Sequence, residues 1–404
     1  MPRTPFGTDT LPPPLLTSDP GSFAEDTFRN RLPAFLDELC RLNPFPPEIR
    51  AALMSLKREI THGLPVRRLA EMTPDRAAWD EVWSRFIGRN WFQLHWYPAE
   101  AYFYRRVLEA TRYFQPGPWQ GRDPFAPYKE QELGPRSQSW ASFERALGRL
   151  PTEHLPRLNE LLLLDLWGNR ADLSIKEVAE SAHAGLADET NERLLIDHRP
   201  QVLERFTRNH RVRRVDFILD NAGLELLFDL ALADHLLTIW HLERIVFHLK
   251  PQPFFVSDAM PQDVMQALEA MMNRPRLAPL ASRLMNAISQ ERLQLVTHPF
   301  WVSAYSFAYM PDDLRRQLAE ADLVLLKGDA NYRRLLDDRR WPPTDSLEER
   351  TRYFPTPFVT LRTAKAEVIV DLTEERVAEL DAKDPRWRIN GQYGLIRFCA
   401  GARG

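Results

Sequence analysis

The pattern of hydrophobic and polar positions divides the chain into two parts with different periodicities. Before about residue 200, apolar residues recur every three or four positions, as at 28–39, 79–86 and 155–162, which is typical of amphipathic helices. After about residue 210, short runs rich in β-branched and aromatic residues alternate with helical segments, which indicates βαβ units and a largely parallel sheet. The predicted strands are 215–219, 244–249, 293–297, 323–326, 358–362, 367–370 and 394–398, and the predicted helices among them are 222–240, 262–272 and 312–319.

The two periodicities predict an α/β fold, with a helical N-terminal domain and a three-layer α/β/α, Rossmann-like C-terminal domain. Residues 1–22 are rich in Pro, Thr and Asp, and we expect them to form an extended strap. We expect the helical domain at 23–209 and the α/β/α domain, with its largely parallel sheet, at 210–404.

Charge and cysteine content narrow the class of protein. The chain has 53 basic and 56 acidic residues and a net charge of −3, which gives no support for a nucleic-acid partner or a basic membrane-binding surface. Its two cysteines, Cys40 and Cys399, are too few for a cysteine-based zinc site and fit a reducing cytoplasm. No apolar stretch is long enough to span a membrane, and the first residues lack the features of a signal peptide. We therefore expect a cytoplasmic protein.

Hard oxygen donors follow two of the predicted apolar runs. Asp220 and Asn221 come directly after the run 215–219, and Asp258 follows a second apolar run and precedes Pro261, which suits the first turn of a helix. Because the carboxyl ends of parallel strands share one edge of a sheet, these three side chains could converge on one divalent cation. Taken singly, each has an alternative role as a helix cap or a turn residue.

The segment KGDANYR begins at Lys327, directly after a predicted strand. Lys327 and Arg333 supply positive charge, and an arginine can bind a phosphate through two parallel hydrogen bonds. Asn331 and Tyr332 could hydrogen-bond the hydroxyls of a sugar. The alternative interpretation is a polar loop that caps a short helix.

The string RTAK begins at Arg362, between two β-like runs. Arg362 and Lys365 could bracket an anionic group, although a simple connection between strands is the alternative. No zinc-binding histidine pair, nucleophilic-serine elbow or Walker-type loop occurs, so the usual zinc-protease, α/β-hydrolase and P-loop signatures are missing from the sequence.

These segments, in this order, resemble the motifs of the damage-control phosphatase family. DNAGLE beginning at Asp220, KGDANYR at Lys327 and RTAK at Arg362 carry the resemblance, and EAYFYRR beginning at Glu100 is a further match. RTAK resembles the R-T-x-K motif of subfamily III, also called the acidic residue methyltransferase family. The resemblance extends from about residue 25 to the C-terminus.

The resemblance implies a metal-dependent phosphatase with a damage-control role, acting on sugar phosphates such as fructose 1-phosphate or fructose 6-phosphate. The associated metals are Mn²⁺, Co²⁺, Ni²⁺ and Mg²⁺. Asp220, Asn221 and Asp258 match the metal ligands, and Glu225 matches a position linked to S-adenosylmethionine. The positions that match substrate-binding residues are Asp220, Asn221, Asp329, Ala330, Asn331, Tyr332, Arg333 and Lys365.

Hydrolysis of a phosphate ester requires that charge be neutralised and a nucleophile be aligned with the leaving group. A divalent ion would polarise a phosphoryl oxygen and orient water, while Lys365 and Arg333 would offset charge on the other oxygens. We expect Asp220 and Asp258 to be the catalytic residues, one of them as general base. Direct attack by Asp220 is the alternative, and we favour water because a ligating carboxylate is a poor free nucleophile.

Two residues of the predicted helical domain, Glu100 and Arg105, could close over the substrate, or they could pair at the domain interface. The main rival function is an S-adenosylmethionine-dependent protein carboxyl methyltransferase. Such an enzyme favours a glycine-rich turn, whereas the turn at 220–223 has one glycine and two metal-type ligands. A second rival is a non-catalytic sugar-phosphate sensor, which would need neither two ligating aspartates nor Lys365.

Overall fold

The computed structural model describes residues 4–168, 193–207 and 212–403. Its first residues lie along the surface without helix until Phe23. The backbone nitrogens of Leu15 and Thr17 donate to the carbonyls of Asp338 and Leu94, both at 3.0 Å, and Phe6 is fully buried. The segment therefore links the N-terminal helices to the C-terminal part of the chain.

The first half of the described chain is helical, as predicted. The central helix of this part is buried along nearly its whole length, from Trp96 to Glu109. The helix that begins at Phe23 continues to Leu42 without a break, and it contains a π-helical turn at Thr27–Arg31. The helices are α1 Phe23–Asp26, α2 Leu32–Leu42, α3 Pro47–Thr61, α4 Arg76–Ser84, α5 Trp96–Ala110, α6 Ala126–Leu133, α7 Gln138–Leu147 and α8 His154–Trp167, with a 3-10 turn at Trp91–Gln93.

A seven-stranded sheet forms the second half, and the predicted α/β class with a mostly parallel sheet is confirmed. The strand order is β1-β7-β6-β5-β2-β3-β4. Every neighbouring pair is parallel except β6 and β7. The strands are β1 Leu194–Asp197, β2 Arg214–Ile218, β3 Arg244–Leu249, β4 Leu293–Thr297, β5 Leu323–Lys327, β6 Phe358–Thr363 and β7 Gly394–Cys399.

Two strand predictions need correction. The edge strand β1 was not predicted, and it lies before residue 210, where we placed the start of the α/β/α domain. The predicted strand at 367–370 is irregular. Its backbone groups bond to side chains instead of a ladder: the Val368 carbonyl accepts from Arg362 at 2.6 Å, and the Val370 amide donates to the Tyr332 hydroxyl at 3.3 Å.

The helices of the second half lie on both faces of the sheet. They are α9 Arg199–Thr207, α10 Leu224–Thr238, α11 Pro261–Met272, α12 Ala278–Ser289, α13 Asp312–Ala319, α14 Gly328–Leu335, α15 Leu347–Arg350 and α16 Glu374–Lys383, with 3-10 turns at Pro299–Val302, Phe307–Tyr309 and Gly401–Arg403. Among the helices that the structure describes, none combines the length and apolar character needed to cross a membrane.

Two hydrophobic cores sandwich the sheet because successive side chains of a strand point to opposite faces. On β2, Phe217 packs in the core that contains α7, α8, α10 and α12, whereas Ile218 packs in the core shared with the N-terminal helices. On β5, Leu325 and Leu326 divide in the same way. The helices α7 and α8, which precede residue 209, therefore form part of the layer that covers the sheet.

Candidate active site

The carboxyl ends of β2 and β5 meet at the point where the strand order reverses. Strands β3 and β4 lie on one side of β2, and β5 and β6 lie on the other. Such a switch point is where open α/β sheets bind ligands. Asp220 follows β2 and Gly328 follows β5, so both residues stand at this point.

A cavity of about 320 Å³ opens above this edge of the sheet. Its walls come both from the strand ends and from the N-terminal helices. The lining residues are Phe23, Arg31, Trp96, Glu100, Tyr104, Leu166, Asp220, Asn221, Glu225, Phe255, Val256, Asp258, Gly328, Asp329, Ala330, Arg333, Leu361, Thr363 and Lys365.

The structure brings Asp220, Asn221 and Asp258 together in this cavity. Asn221 and Asp258 pair across an isolated antiparallel bridge, and the Ala259 amide donates to the Asp220 carbonyl at 2.7 Å. The Asn221 side-chain nitrogen donates to Asp220 Oδ2 at 2.8 Å and to Glu225 Oε2 at 3.0 Å. Two separate loops are thus joined through their backbones, which fixes the spacing of the three predicted ligands.

Carboxylates outnumber cations at this end of the cavity. Burial, together with the negative charges of Glu225 and Asp258, raises the pKa of Asp220 well above its usual range. Burial also raises the pKa of Asp258, and Lys250, whose Nζ lies 3.1 Å from Asp258 Oδ2, opposes that rise. A cation bound among these oxygens would relieve the repulsion.

These oxygen donors suit a hard divalent cation, provided that the amide oxygen of Asn221 is one of the ligands. Within the described residues, no three His, Cys, Asp or Glu side chains are grouped to hold a metal by themselves. The amide oxygen of Asn221 must therefore take part, yet it now accepts from Ser257 Oγ at 2.6 Å. Rotating this amide by half a turn would direct the oxygen towards Asp220, and the Ser257 hydroxyl could still bond because it both donates and accepts.

The predicted segment from 327 to 333 is not a polar loop: Lys327 ends β5, and the residues from Gly328 onwards form the helix α14. The phase of this helix directs Asp329 and Ala330 into the cavity wall. Asn331 instead donates to the Lys327 carbonyl at 2.9 Å, and the Tyr332 hydroxyl accepts from the Val370 amide. The structure does not bring Asn331 and Tyr332 to the cavity.

Lys327 lies beneath the cavity and is fully buried. Its Nζ is 2.7 Å from Asp165 Oδ1, 3.1 Å from Asp229 Oδ1 and 3.3 Å from Glu225 Oε1. Burial alone would lower the pKa of Lys327, but these carboxylates raise it well above its usual range. Lys327 therefore neutralises a buried acidic cluster and does not contribute free charge to the cavity.

Arg333 reaches the cavity, but its donors are already engaged. Nε and Nη2 bond the two oxygens of Asp338, each at 2.9 Å, and Nη1 bonds Glu100 Oε2 at 2.9 Å. The guanidinium also lies 3.6 Å from the centre of the Trp96 ring. Arg333 and Glu100 thus form a wall that ties α5 to α14. Arg105 lies elsewhere, buried and bonded to Asp75 at 2.6 Å.

The RTAK string divides into one supporting residue and one exposed to the cavity. Arg362 is fully buried, and its Nε donates to Asp329 Oδ1 at 2.7 Å. The backbone amide of Lys365 donates to the same oxygen at 3.1 Å. In the described part of the chain, the half-buried Lys365 ammonium has no hydrogen bond or ion pair. Lys365 is therefore a cation available to a ligand, and Arg362 positions it through Asp329.

Several cavity residues were not predicted from the sequence, both in the helical part and in the loop that follows β3. Tyr104 lies four positions after Glu100 on α5, so it shares the face of Glu100, and that spacing was a usable signal. Arg31 is the last residue of a π-helical turn that no periodicity indicated. Phe255 and Val256 have φ angles of 44° and 67°, a left-handed conformation that strains a β-branched residue, and this strained loop forms one cavity wall.

A larger cavity of about 750 Å³ lies at the far end of α10, between α8 and α12. Its lining is largely apolar, with the ion pair of Arg283 and Asp234 at its edge. It contains none of the predicted site residues, so the smaller cavity at the switch point is the candidate active site.

Comparison with known proteins agrees with the motifs. The family profile described as "Damage-control phosphatase ARMT1-like domain" matches residues 27–380. Two proteins named "Damage-control phosphatase ARMT1" are similar over nearly their whole length: that of Danio rerio is 32% identical, covering 96% of this chain and 98% of the relative. That of Homo sapiens is 28% identical, with 96% and 98% covered.

A solved structure supports the fold. The crystal structure of a DUF89 family protein from Pyrococcus horikoshii superposes with a TM-score of 0.50 at 14% identity, and the match covers 91% of this chain and 96% of that one. At this identity the likeness concerns the fold alone. From the profile match and the extent of the sequence similarity, the chain belongs to the damage-control phosphatase family, of the ARMT1-like type.

Proposed function

We propose that this protein is a metal-dependent phosphatase that hydrolyses sugar phosphates, of the fructose 1-phosphate or fructose 6-phosphate type, in a damage-control role. The observation that carries the proposal is the grouping of Asp220, Asn221 and Asp258 in one cavity with Lys365, whose ammonium bonds no other described residue. Family membership supports the reaction class. Both cysteines are free and buried, which fits a reducing compartment such as the cytoplasm.

Asp220, Asn221 and Asp258 would hold the cation, for which Mn²⁺, Co²⁺, Ni²⁺ and Mg²⁺ are the candidates. When bound, it would supply positive charge to a phosphoryl oxygen and favour deprotonation of water. The raised pKa values of Asp220 and Asp258 support this assignment, because they mark buried negative charge that the protein alone leaves poorly compensated.

Phosphate binding and proton transfer would be carried out by side chains of the protein. Lys365 would bind the phosphoryl oxygens that point away from the sheet, since its ammonium is free while its backbone is anchored to Asp329. Asp258 would accept a proton from the attacking water, and Lys250, 3.1 Å from its Oδ2, stabilises the charged carboxylate. A bond forms between phosphorus and the water oxygen as the bond between phosphorus and the sugar oxygen breaks. The sugar oxygen then takes up the proton that Asp258 accepted, directly or through water.

Glu225 is the residue that the methyltransferase rival would use. Its Oε2 accepts from Asn221 at 3.0 Å and its Oε1 lies 3.3 Å from Lys327 Nζ, so both of its oxygens are engaged by side chains of the protein. This arrangement favours a supporting role in the phosphatase. The test below distinguishes the two functions, because only the rival predicts methyl transfer without phosphate release.

The test is phosphate release from a panel of sugar phosphates, after chelation and then with each of the four metals. We expect release that depends on the metal and falls at least about 100-fold in Asp220→Asn and in Asp258→Asn. Asp80→Asn is the matched control, because Asp80 bonds Arg68 and Arg76 at the surface. Transfer of a methyl group to protein carboxyls without phosphate release would overturn the proposal.

A further inference from the structure

The cavity is lined by a further cationic residue, Arg31, besides Lys365 and Arg333. Arg31 ends the π-helical turn, in which the Leu32 amide bonds the carbonyl of Thr27, five residues earlier. Such turns insert a residue into a helix and often occur at functional sites. The Arg31 guanidinium lies over the Phe23 ring, 4.4 Å from its centre. In the described ranges no carboxylate is within ion-pair distance of it.

Tyr104 lines the same cavity and lies near enough to Arg31 to feel its charge. The residue is only 7% exposed, and its hydroxyl makes no hydrogen bond with any described residue. Its ring is fixed between Phe125 and Phe255, with ring centres 5.9 Å and 4.9 Å away. Burial raises the pKa of Tyr104 well above its usual range, so the hydroxyl stays protonated and can donate.

The carboxylate nearest to this pair is bonded to a different cation, which it shares with Asp338. Glu100 stands one helical turn before Tyr104, and its Oε2 bonds Arg333 Nη1 at 2.9 Å. Arg31 acts on Glu100 only from beyond ion-pair distance. In the described ranges no carboxylate is bonded to the Arg31 guanidinium, so its hydrogen-bond donors are available to an anionic ligand.

We propose that Arg31 and Tyr104 form a second anion-binding pole, which selects phosphorylated sugars that carry a further anionic group besides the phosphate that is removed. A second phosphate or a sugar-acid carboxylate would meet the requirement, because the planar guanidinium bonds either in two-point fashion. The inference rests on the proposed phosphatase function and adds a substrate class to it.

Three substrates test the proposal with the Mn²⁺-loaded protein: a ketohexose 1-phosphate, the corresponding 1,6-bisphosphate, and an aldonic acid 6-phosphate. For Arg31→Gln we expect kcat/KM to fall about tenfold on a substrate with two anionic groups, mainly through KM, and less than about twofold on the monophosphate. Tyr104→Phe should act in the same direction and less strongly. Arg29→Gln is the matched control, since Arg29 bonds Glu25 at 2.8 Å outside the cavity, and it should leave all three rates unchanged.

A response confined to the bisphosphate or to the sugar acid would support the proposal and identify the anion. Equal losses on all three substrates, or no loss, would overturn it. If the wild-type protein released no phosphate from any of them, the proposed function would fail. Calorimetric binding of the same compounds to wild-type and Arg31→Gln protein would then decide the matter: Arg31-dependent preference for two anionic groups supports the second pole, and equal affinities refute it.

Discussion

A Cβ atom on Gly328 would lie 2.0 Å from Oδ2 of Asp220. The first residue of α14 thus has to be glycine for the carboxylate after β2 to occupy its place at the switch point. Gly328 also has a φ of +82°, a conformation that side chains rarely adopt. Two independent constraints, close approach and backbone conformation, meet at this residue.

Replacing Gly328 should therefore displace Asp220. We expect Gly328→Ala to lower phosphatase activity at least tenfold and to cost about 1–3 kcal/mol of unfolding free energy. Gly121→Ala is the matched control: Gly121 has a φ of +69°, and nothing lies within 4 Å of an added Cβ. Urea unfolding and phosphate release measured on both variants separate the two effects. Equal activity losses in the two would show that the contact with Asp220 is unimportant.

Lys365 should act on the phosphate and not on the fold. Because its ammonium makes no bond within the described residues, Lys365→Gln should leave the melting temperature nearly unchanged. It should lower kcat/KM for a sugar phosphate about 10- to 100-fold. Lys383→Gln, at the exposed end of α16, provides the comparison. Wild-type kcat/KM in Lys365→Gln would remove this residue from the substrate site.

Lys327 should matter for stability to an unusual degree. Lys327→Met leaves the buried carboxylates of Asp165 and Asp229 without their cation, which typically costs about 3–5 kcal/mol. Lys57→Met, which removes the half-buried partner of the exposed Asp37, should cost about 1 kcal/mol or less. Chemical denaturation measures both, and similar costs for the two variants would contradict the role assigned to Lys327.

The residues at the strand ends could be predicted because a buried strand is visible in the sequence as a short run of apolar residues. Asp220 and Asn221 follow such a strand, and the structure brings Asp258 beside them. The phase of α14 could not be predicted, since a short polar segment does not reveal whether Asn331 points into a cavity or back at its own helix. Nor does periodicity indicate that Lys327 meets Asp165, 162 positions away.

Acid should destabilise the protein partly through His235. Burial lowers the pKa of His235 to about 4, below its usual value of 6.5. Between these values the unfolded chain binds a proton that the folded protein excludes. The stability contributed by the neutral ring is therefore complete above pH 6.5 and declines as the pH falls towards 4.

Melting temperatures at pH 7 and pH 5 test this contribution. The decrease should be smaller in His235→Gln than in the wild type, because glutamine has no proton to gain. His62→Gln, at an exposed position, should behave as the wild type does. An identical decrease in His235→Gln and the wild type would show that His235 does not contribute.

Anomalous diffraction from crystals grown with Mn²⁺ locates the cation independently of any reaction. We predict one strong peak in the cavity at the switch point, within coordination distance of Asp220, Asn221 and Asp258, with the Asn221 amide oxygen turned towards the ion. A peak bound by other residues, or a fully occupied crystal form with no peak between these three, would contradict the account.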